Sequence, residues 1–406
     1  MSPSLVDRVI LIVLDSVGIG AAPDAARFED QDANTLGHIG EWCSRNSKFF
    51  HLPNLEAWGL GHLCDAYGCR PLQSHKASLA TLQELSPGKD TTTGHWEIAG
   101  HVLRYEFPVF KDGFSSEIMG QWLSACGLTG YLGNKPSSGT TILDELGEEH
   151  IHTGLPIVYT SGDSVFQIAC HETHFGLQRL YELCENARTI VDPLGVGRVI
   201  ARPFLGERRG EFKRSENRRD YSVPPPYPNL LDIIKESEMM VVGVGKIEDI
   251  FAHRGLTLAE HTGRNETGIE ATIEMINTEK KRGLIFTNLV DFDQLHGHRR
   301  DPGSYAEALM AFDQSLPRLE DALSERDLLI ITADHGNDPT FRGSDHTREV
   351  VPLLFFSKSP AFRPKNFGSV KGLTTVARLC LEGLGLEQHL ERLPDASASA
   401  SLWGKS

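Results

Sequence analysis

The chain has 406 residues, with 40 Lys and Arg against 55 Asp and Glu, a net charge of −15 with His neutral, and 40% hydrophobic residues. That composition excludes global disorder, and the length allows two or three domains with cores of their own. The acid excess argues against nucleic acid as the main partner. It does not exclude a phosphorylated substrate, because bound divalent cations invert the local field and acidic side chains are what hold them.

In chain order, the first buried-strand pattern is Val9–Leu14, which ends at Asp15. A polar loop, Ser86–Glu97, follows much later. From Phe107 to Tyr221 glycine and proline rise and apolar runs shorten, which predicts an inserted second domain. Within it Pro156–Tyr159 reads as a strand ending in Thr160, Ser161, Gly162 and Asp163, and a basic stretch runs from Arg202 to Arg219. Ser222–Pro228 is proline-rich and reads as a stiff connector. Leu230, Ile233 and Ile234 then mark a helix, Met239–Val244 a strand ending at Gly245 and Lys246, and Ile269, Ile273 and Ile276 another helix. Leu284–Phe286 continues through Leu289 and Val290 to Asp291 and Asp293. A helical stripe from Tyr305 through Leu309, Phe312, Leu316 and Leu319 to Leu323 is interrupted by Pro317. Strands Leu328–Ile331, ending at Asp334, and Val350–Phe356 complete the pattern, and the Ser/Ala-rich tail Asp395–Leu402 is expected to fray.

Continuous apolar strands alternating with helices predict an α/β fold, a parallel-type sheet with helices on both faces. The core is expected to be discontinuous, 1–106 with 222–406, and the inserted smaller α/β domain to be 107–221. In such sheets sites form at the carboxyl ends of strands. The longest purely aliphatic run is Val9–Leu14, far short of the about 20 residues of a membrane-spanning helix. The start, MSPSLVDRV, lacks a basic stretch and an apolar signal core before Asp7, so the expected location is the cytoplasm, with no membrane partner. The seven cysteines are odd in number and widely spaced, with Cys64 and Cys69 as the one close pair; they read as reduced, structural thiols.

Four strand ends or loops concentrate chemistry. Thr332-Ala333-Asp334-His335-Gly336 delivers adjacent carboxylate and imidazole, and His346 follows eleven residues later. Mixed oxygen and nitrogen donors suit Zn²⁺ or Mn²⁺; the alternative is a helix-capping Asp beside a surface His. Asp291-Phe292-Asp293-Gln294-Leu295-His296-Gly297-His298 offers two Asp and two His, and spacing does not choose among them. Asp15 precedes Gly18-Ile19-Gly20, which lacks the third glycine of a dinucleotide fingerprint. In Gly88-Lys89-Asp90-Thr91-Thr92-Thr93-Gly94 the phosphate-loop spacing is not met; a nucleophilic Thr at a helix start competes with a Thr N-cap backed by Glu97. Taken together, these donors suffice for two metals bridged by one hydroxyl, a clamp for in-line phosphoryl displacement.

The chain resembles the prokaryotic phosphopentomutase family of the alkaline phosphatase superfamily. The resemblance rests on DSVGIGAAPDA at 15–25, GKDTTTGHWE at 88–97, GNKPSSGTTILDELG at 133–147, IVYTSGDSVFQIACHE at 157–172, GRVIARPFLGE at 197–207, NLVDFDQLHGHRRDP at 288–302, and LIITADHGNDP with DHTRE at 329–349. It implies two Mn²⁺ ions, with Zn²⁺ able to bind the same donors. Asp15, Asp334 and His335 would hold one; Asp293, His298 and His346 would hold the other. Asp291 and His296 become bystanders. Thr91 would bridge the metals and carry phosphate. The inserted domain would bind the pentose phosphate through Ser161, Asp163, Arg198, Ile200 and Arg202, with Lys246 contributing from the core. The implied reaction interconverts ribose or deoxyribose 1- and 5-phosphates, with a pentose 1,5-bisphosphate as activator. Thr92 departs from the pattern, standing where the family carries Met. Two other readings share parts of this inventory: a metal-dependent phosphatase or other phosphomutase on the same core, and a non-catalytic sugar-phosphate binding protein.

Overall fold

Seven consecutive residues, Arg8–Leu14, form strand β1, and all seven are buried. An unbroken apolar strand has no polar face to give to water, so it must lie between neighbours and under helices on both sides. Its neighbours here are two parallel strands from distant parts of the chain. The computed structural model describes residues 5–161 and 164–403. They fall into two compact units, Met1–Tyr105 with Pro225–Ser406, and Glu106–Pro224.

After β1, the first unit contributes β2 (Ser78–Gln83). The second unit supplies β3 (Leu132–Pro136), β4 (Ile157–Thr160), β5 (Val165–His171), β6 (Arg198–Leu205), β7 (Lys213–Arg214) and β8 (Arg219–Ser222). The first unit resumes with β9 (Met240–Val244), β10 (Leu258–Glu260), β11 (Gly283–Leu289), β12 (Asp327–Thr332), β13 (Val351–Phe356) and β14 (Asn366–Lys371).

The sheet of the first unit runs β10-β9-β11-β1-β12-β13-β2-β14. The strands from β10 to β12 are parallel, so Val244, Leu289, Leu14 and Thr332 all end on one edge. The sheet is not wholly parallel: β13 runs antiparallel to both β12 and β2. That reversal has a consequence for the site. A strand running backwards begins where its parallel neighbours end, so the segment before β13, which carries His346, joins the same edge.

The opposite edge is locked by a buried ion pair. Arg8 donates to both carboxylate oxygens of Asp327, at 2.8 and 2.6 Å, and to the carbonyls of Ile276 and Glu279.

The expected break at Pro317 does not occur. Helix Pro302–Ala322 runs through it. Proline cannot bond the carbonyl four residues back, which leaves Asp313 O without its helical donor. Asn54 Nδ2 supplies that donor at 2.9 Å, while the Asp313 carboxylate accepts the backbone N–H of Leu55 at 2.7 Å. The tail is also packed rather than frayed. Pro394–Ala398 is helical, Leu402 is buried, and Trp403 Nε1 donates to Leu379 O.

In the second unit β3, β4, β5 and β6 form the sheet, with β7 and β8 both antiparallel to β6. Helices bury both faces, one around Trp122, Phe166 and Leu180, the other around Ile142, Ile157 and Phe204. Alternation along β6 sets Arg198, Ile200 and Arg202 on one face. All seven cysteines are free thiols. No helix among the described residues is long and apolar enough to cross a membrane.

Candidate functional site

Asp15 follows β1 directly, and the chain then turns at Ser16, whose φ of 75° is left-handed. The strain of that conformation is held from several sides. Ser16 N donates to Asp334 Oδ1, its carbonyl accepts from Asn337 N and Tyr305 Oη, and its hydroxyl lies 3.0 Å from the same Tyr305 oxygen. The turn therefore ties the end of β1 to the end of β12.

Asp334 and His335 follow β12 and are fully buried. His335 Nδ1 lies 3.1 Å from the Gly336 carbonyl, which requires a hydrogen on that nitrogen and leaves Nε2 as the open one. Nε2 stands 3.2 Å from Thr91 Oγ1, 3.4 Å from Asp334 Oδ2 and 3.6 Å from Asp15 Oδ1. His346 packs its ring 4.2 Å from that of His335, centroid to centroid, and its Nε2 is 3.4 Å from Asp293 Oδ1. Donor atoms of Asp15, Asp334 and His335 form one group close enough to hold a metal ion, and those of Asp293, His335 and His346 form a second. His335 belongs to both.

His298 stands at the rim. Its Nε2 is 3.2 Å from Asp293 Oδ2, and its Nδ1 donates to Ser344 O at 2.8 Å. Between the alternatives left by spacing, Asp291 turns away: its carboxylate accepts the Asn265 N–H at the start of helix Asn265–Thr278. His296 packs near Tyr305 and is in neither donor group.

Thr91 is the first residue of helix Thr91–Ile98, but the cap is Asp90, not a threonine. Asp90 accepts from Thr93 N at 3.1 Å and from Thr93 Oγ1. Glu97 does not serve the cap either; it accepts the N–H groups of Leu85, Ser86 and Leu373. Gly94 explains how closely this helix approaches the strand end. A Cβ there would meet Asp334 O at 2.5 Å.

The charge balance shows what the donors lack. Burial, with the Asp334 and Asp293 charges beside it, pushes the Asp15 carboxyl up to about 6. Burial opposes charge on His335, yet Asp334 and Asp15 overcome it and raise the imidazole to about 8. Burial acts likewise on Asp293, but His346 and His298 hold it well below the usual carboxylate range. Buried carboxylates are thus competing for protons as their counter-charge. Asp15 Oδ1 and His346 Nε2 are buried and find no hydrogen-bond partner among the described residues, and Asp334 Oδ2 has His95 Nδ1 3.1 Å away. Oxygen and imidazole donors, buried and converging, with Asp15 Oδ1 and His346 Nε2 left over, fit divalent metal ions.

Lys246 lies just past β9, and its charge reaches Asp15. The remaining sequence-predicted residues belong to the second unit. Ser161 follows β4, Ile200 is buried on β6, and Asp163 lies outside the described residues. Arg198 is 3.7 Å from Asp220. Arg202 Nε donates to Gln167 Oε1 at 3.1 Å, and burial beside the Arg218 charge lowers its guanidinium to about 10. Sequence reasoning did not select the amides Asn288 and Asn337 or the imidazole of His95, all buried at the donor groups. Only Asn288 carried a signal, an amide one residue from the end of an apolar strand. A further group in the second unit, His171, His174 and Glu207, lies within metal-binding reach. There both His171 nitrogens are already spent on backbone, Nδ1 on Thr173 and His174 N–H, Nε2 on Gly206 O.

Buried carboxylate and imidazole donors at the strand ends of a helix-flanked mixed sheet agree with a metalloenzyme, and the chain matches the metalloenzyme superfamily over residues 7–388. It is 52% identical over 379 residues to the phosphopentomutase of Caldanaerobacter subterraneus subsp. tengcongensis, covering 93% of this chain and 94% of that one. It is 49% identical over 384 residues to the phosphopentomutase of Alkaliphilus metalliredigens (94% and 96% covered) and 48% identical over 384 residues to that of Aeromonas salmonicida (91% and 94% covered). The chain belongs to the phosphopentomutase family. It is therefore an enzyme of the mutase type that binds divalent metal.

Proposed function

We propose that the enzyme interconverts the 1- and 5-phosphates of ribose or 2-deoxyribose, with Thr91 as the residue that carries the phosphoryl group between them. The observation that carries this reading is the placement of Thr91 Oγ1. It sits at a helix start, 3.2 Å from His335 Nε2, beside both donor groups. A helix start presents free N–H groups and a positive dipole end to an anion.

In this reading Asp15, Asp334 and His335 hold one Mn²⁺, and Asp293, His346 and His298 hold the other. When bound, such ions neutralise charge on a transferring phosphoryl group and favour a threonine alkoxide. The P–Oγ bond of phospho-Thr91 breaks as a P–O bond forms to the free C1 or C5 oxygen of the entering monophosphate. A pentose 1,5-bisphosphate results, and transfer of its other phosphoryl group to Thr91 releases the isomeric product. The bisphosphate also loads Thr91 initially, which makes it the activator. Ser161, Arg198, Ile200 and Arg202 of Glu106–Pro224 bind the sugar phosphate, because a guanidinium forks onto phosphate oxygens. Lys246 adds positive charge beside Asp15.

Phosphorus NMR of the Mn²⁺-loaded enzyme with ribose 1-phosphate and a trace of the 1,5-bisphosphate tests the proposal. Ribose 5-phosphate growing in with little inorganic phosphate is the expected result. Inorganic phosphate growing in instead would replace the mutase reading with a phosphatase one.

A further inference from the structure

Two buried asparagines touch the carboxylates of the donor groups without belonging to them. Asn288, one residue before the end of β11, points Nδ2 at Asp15 Oδ2 (2.9 Å) and at His95 Nε2 (3.2 Å). A carboxylate only accepts, so the NH₂ side of the amide must face it, and His95 Nε2 must be the acceptor of the second hydrogen. His95 is fully buried, and its Nδ1 lies 2.9 Å from the Thr91 carbonyl and 3.1 Å from Asp334 Oδ2. Both are acceptors, so Nδ1 carries the hydrogen. The chain of contacts runs Asp15, Asn288, His95, Thr91 and Asp334. It spends Asp15 Oδ2 on the amide and leaves Oδ1 without a partner.

The second asparagine repeats this logic with different partners. Asn337 Nδ2 donates to Asp293 Oδ1 at 2.7 Å, and its own Oδ1 accepts from Arg300 Nη1 at 2.7 Å. Arg300 also donates to the carbonyls of Asp338 and Asp345, the latter next to His346. The site makes room for this amide: a Cβ on Gly297 would come within 2.7 Å of it. The two sets of side chains share no member.

We propose that Asn288 and Asn337 are positioning residues, each orienting one carboxylate, and that they tune the two metal positions separately. Asn288, backed by His95, serves the Asp15–Asp334–His335 position. Asn337, backed by Arg300, serves the position of Asp293 and His346. The inference rests on the metal-centre reading above. Outer partners that orient metal ligands commonly change affinity by about 10- to 100-fold when removed.

Calorimetric titration of the metal-free protein with Mn²⁺ tests it. The wild-type chain is expected to take up metal in two steps, with Asp334→Ala and His346→Ala each impairing uptake. Asn288→Ala should weaken one step by about 10- to 100-fold and leave the other in place; Asn337→Ala should do the converse, and the double variant should combine both losses. Should either alanine variant not fold, Asn288→Ser and Asn337→Ser are read the same way, since a hydroxyl is too short to span both partners. Equal weakening of both steps by either single variant, or no change in either step, overturns the separate-tuning proposal. A wild-type chain that takes up no Mn²⁺, or whose uptake ignores Asp334→Ala and His346→Ala, overturns the metal-centre reading itself.

Discussion

Thr91 and Thr93 differ in what their hydroxyls touch, although both lie in one helical turn. Thr93 Oγ1 is committed to Asp90 and buried, whereas Thr91 Oγ1 faces His335. Thr91→Ala is therefore expected to keep the fold and abolish both phosphoryl transfer and phosphate incorporation into the protein, read by intact mass after incubation with the bisphosphate. Thr93→Ala removes a cap interaction instead, and should cost stability of about 0.5–2 kcal/mol with phosphate incorporation retained. Phosphate found on the Thr91→Ala protein would move the carrier to another hydroxyl. At this scale the sequence was legible where chemistry is rare, as in Asp334-His335 at the end of an apolar strand. It was silent on Asn288, Asn337 and His95, because a buried amide or histidine in a strand, a loop or a helix looks the same whether it orients a ligand or fills a core. Nor did spacing separate Asp291 from Asp293. That choice depends on the turn Phe292–Gly297, which sends one carboxylate toward Asn265 and the other toward His346.

Among the elements, the sequence disclosed β1, β9, β11, β12 and β13 through their apolar runs. β14, Asn-Phe-Gly-Ser-Val-Lys, is a mostly exposed edge strand and carries no such run. Strand direction was not legible either. Hydropathy reports burial, so the reversal of β13 emerges only from pairing. Helix Pro302–Ala322 reads as interrupted in the sequence because the donor that rescues Asp313 O comes from Asn54, far away along the chain. The element ends also carry their own energetics. Arg8→Met would leave the Asp327 carboxylate buried without its cation, so urea unfolding should show a loss of about 3–5 kcal/mol. Replacing both partners with apolar residues should recover much of it; no recovery would mean that the bonds from Arg8 to the Ile276 and Glu279 carbonyls dominate. His150 ties helix Gly139–Thr153 to the end of β5. Its Nδ1 donates to Leu155 O at 2.6 Å, and its Nε2 accepts the His171 N–H at 2.8 Å. Burial lowers its pKa, and His171 is lowered by burial as well. The unfolded chain binds a proton near pH 6.5 while the folded one resists it. Stability is then full above about pH 6.5 and is lost as pH falls below it, by up to about 1.4 kcal/mol per unit for each such proton. His150→Gln should flatten that dependence; an unchanged slope would assign it elsewhere.

For the whole molecule, the two units carry different sensitivities. The proposed ligands Asp15, Asp293, His298, Asp334, His335 and His346 lie in Met1–Tyr105 with Pro225–Ser406, and His150 and His171 lie in Glu106–Pro224. A ligand that binds only the folded form stabilises it by about 2.7 kcal/mol at a hundredfold excess over Kd. In a unit of this size that amounts to roughly 4–5 °C in melting temperature. Protons should act on the other unit, through the buried histidines. Scanning calorimetry of the metal-free protein at about pH 7.5, then with Mn²⁺, should raise one transition and leave the other in place, and Asp334→Ala should remove that rise. Taking the metal-free protein from about pH 7.5 to about pH 5.5 should lower the second transition, with His150→Gln reducing the drop. The comparison must start metal-free, because acid also competes with metal at His335. One transition that answers both treatments as a whole would show that the inserted unit unfolds with its host. Metal occupancy would then stabilise Glu106–Pro224, with its proposed sugar-phosphate residues, as well as the proposed ligands.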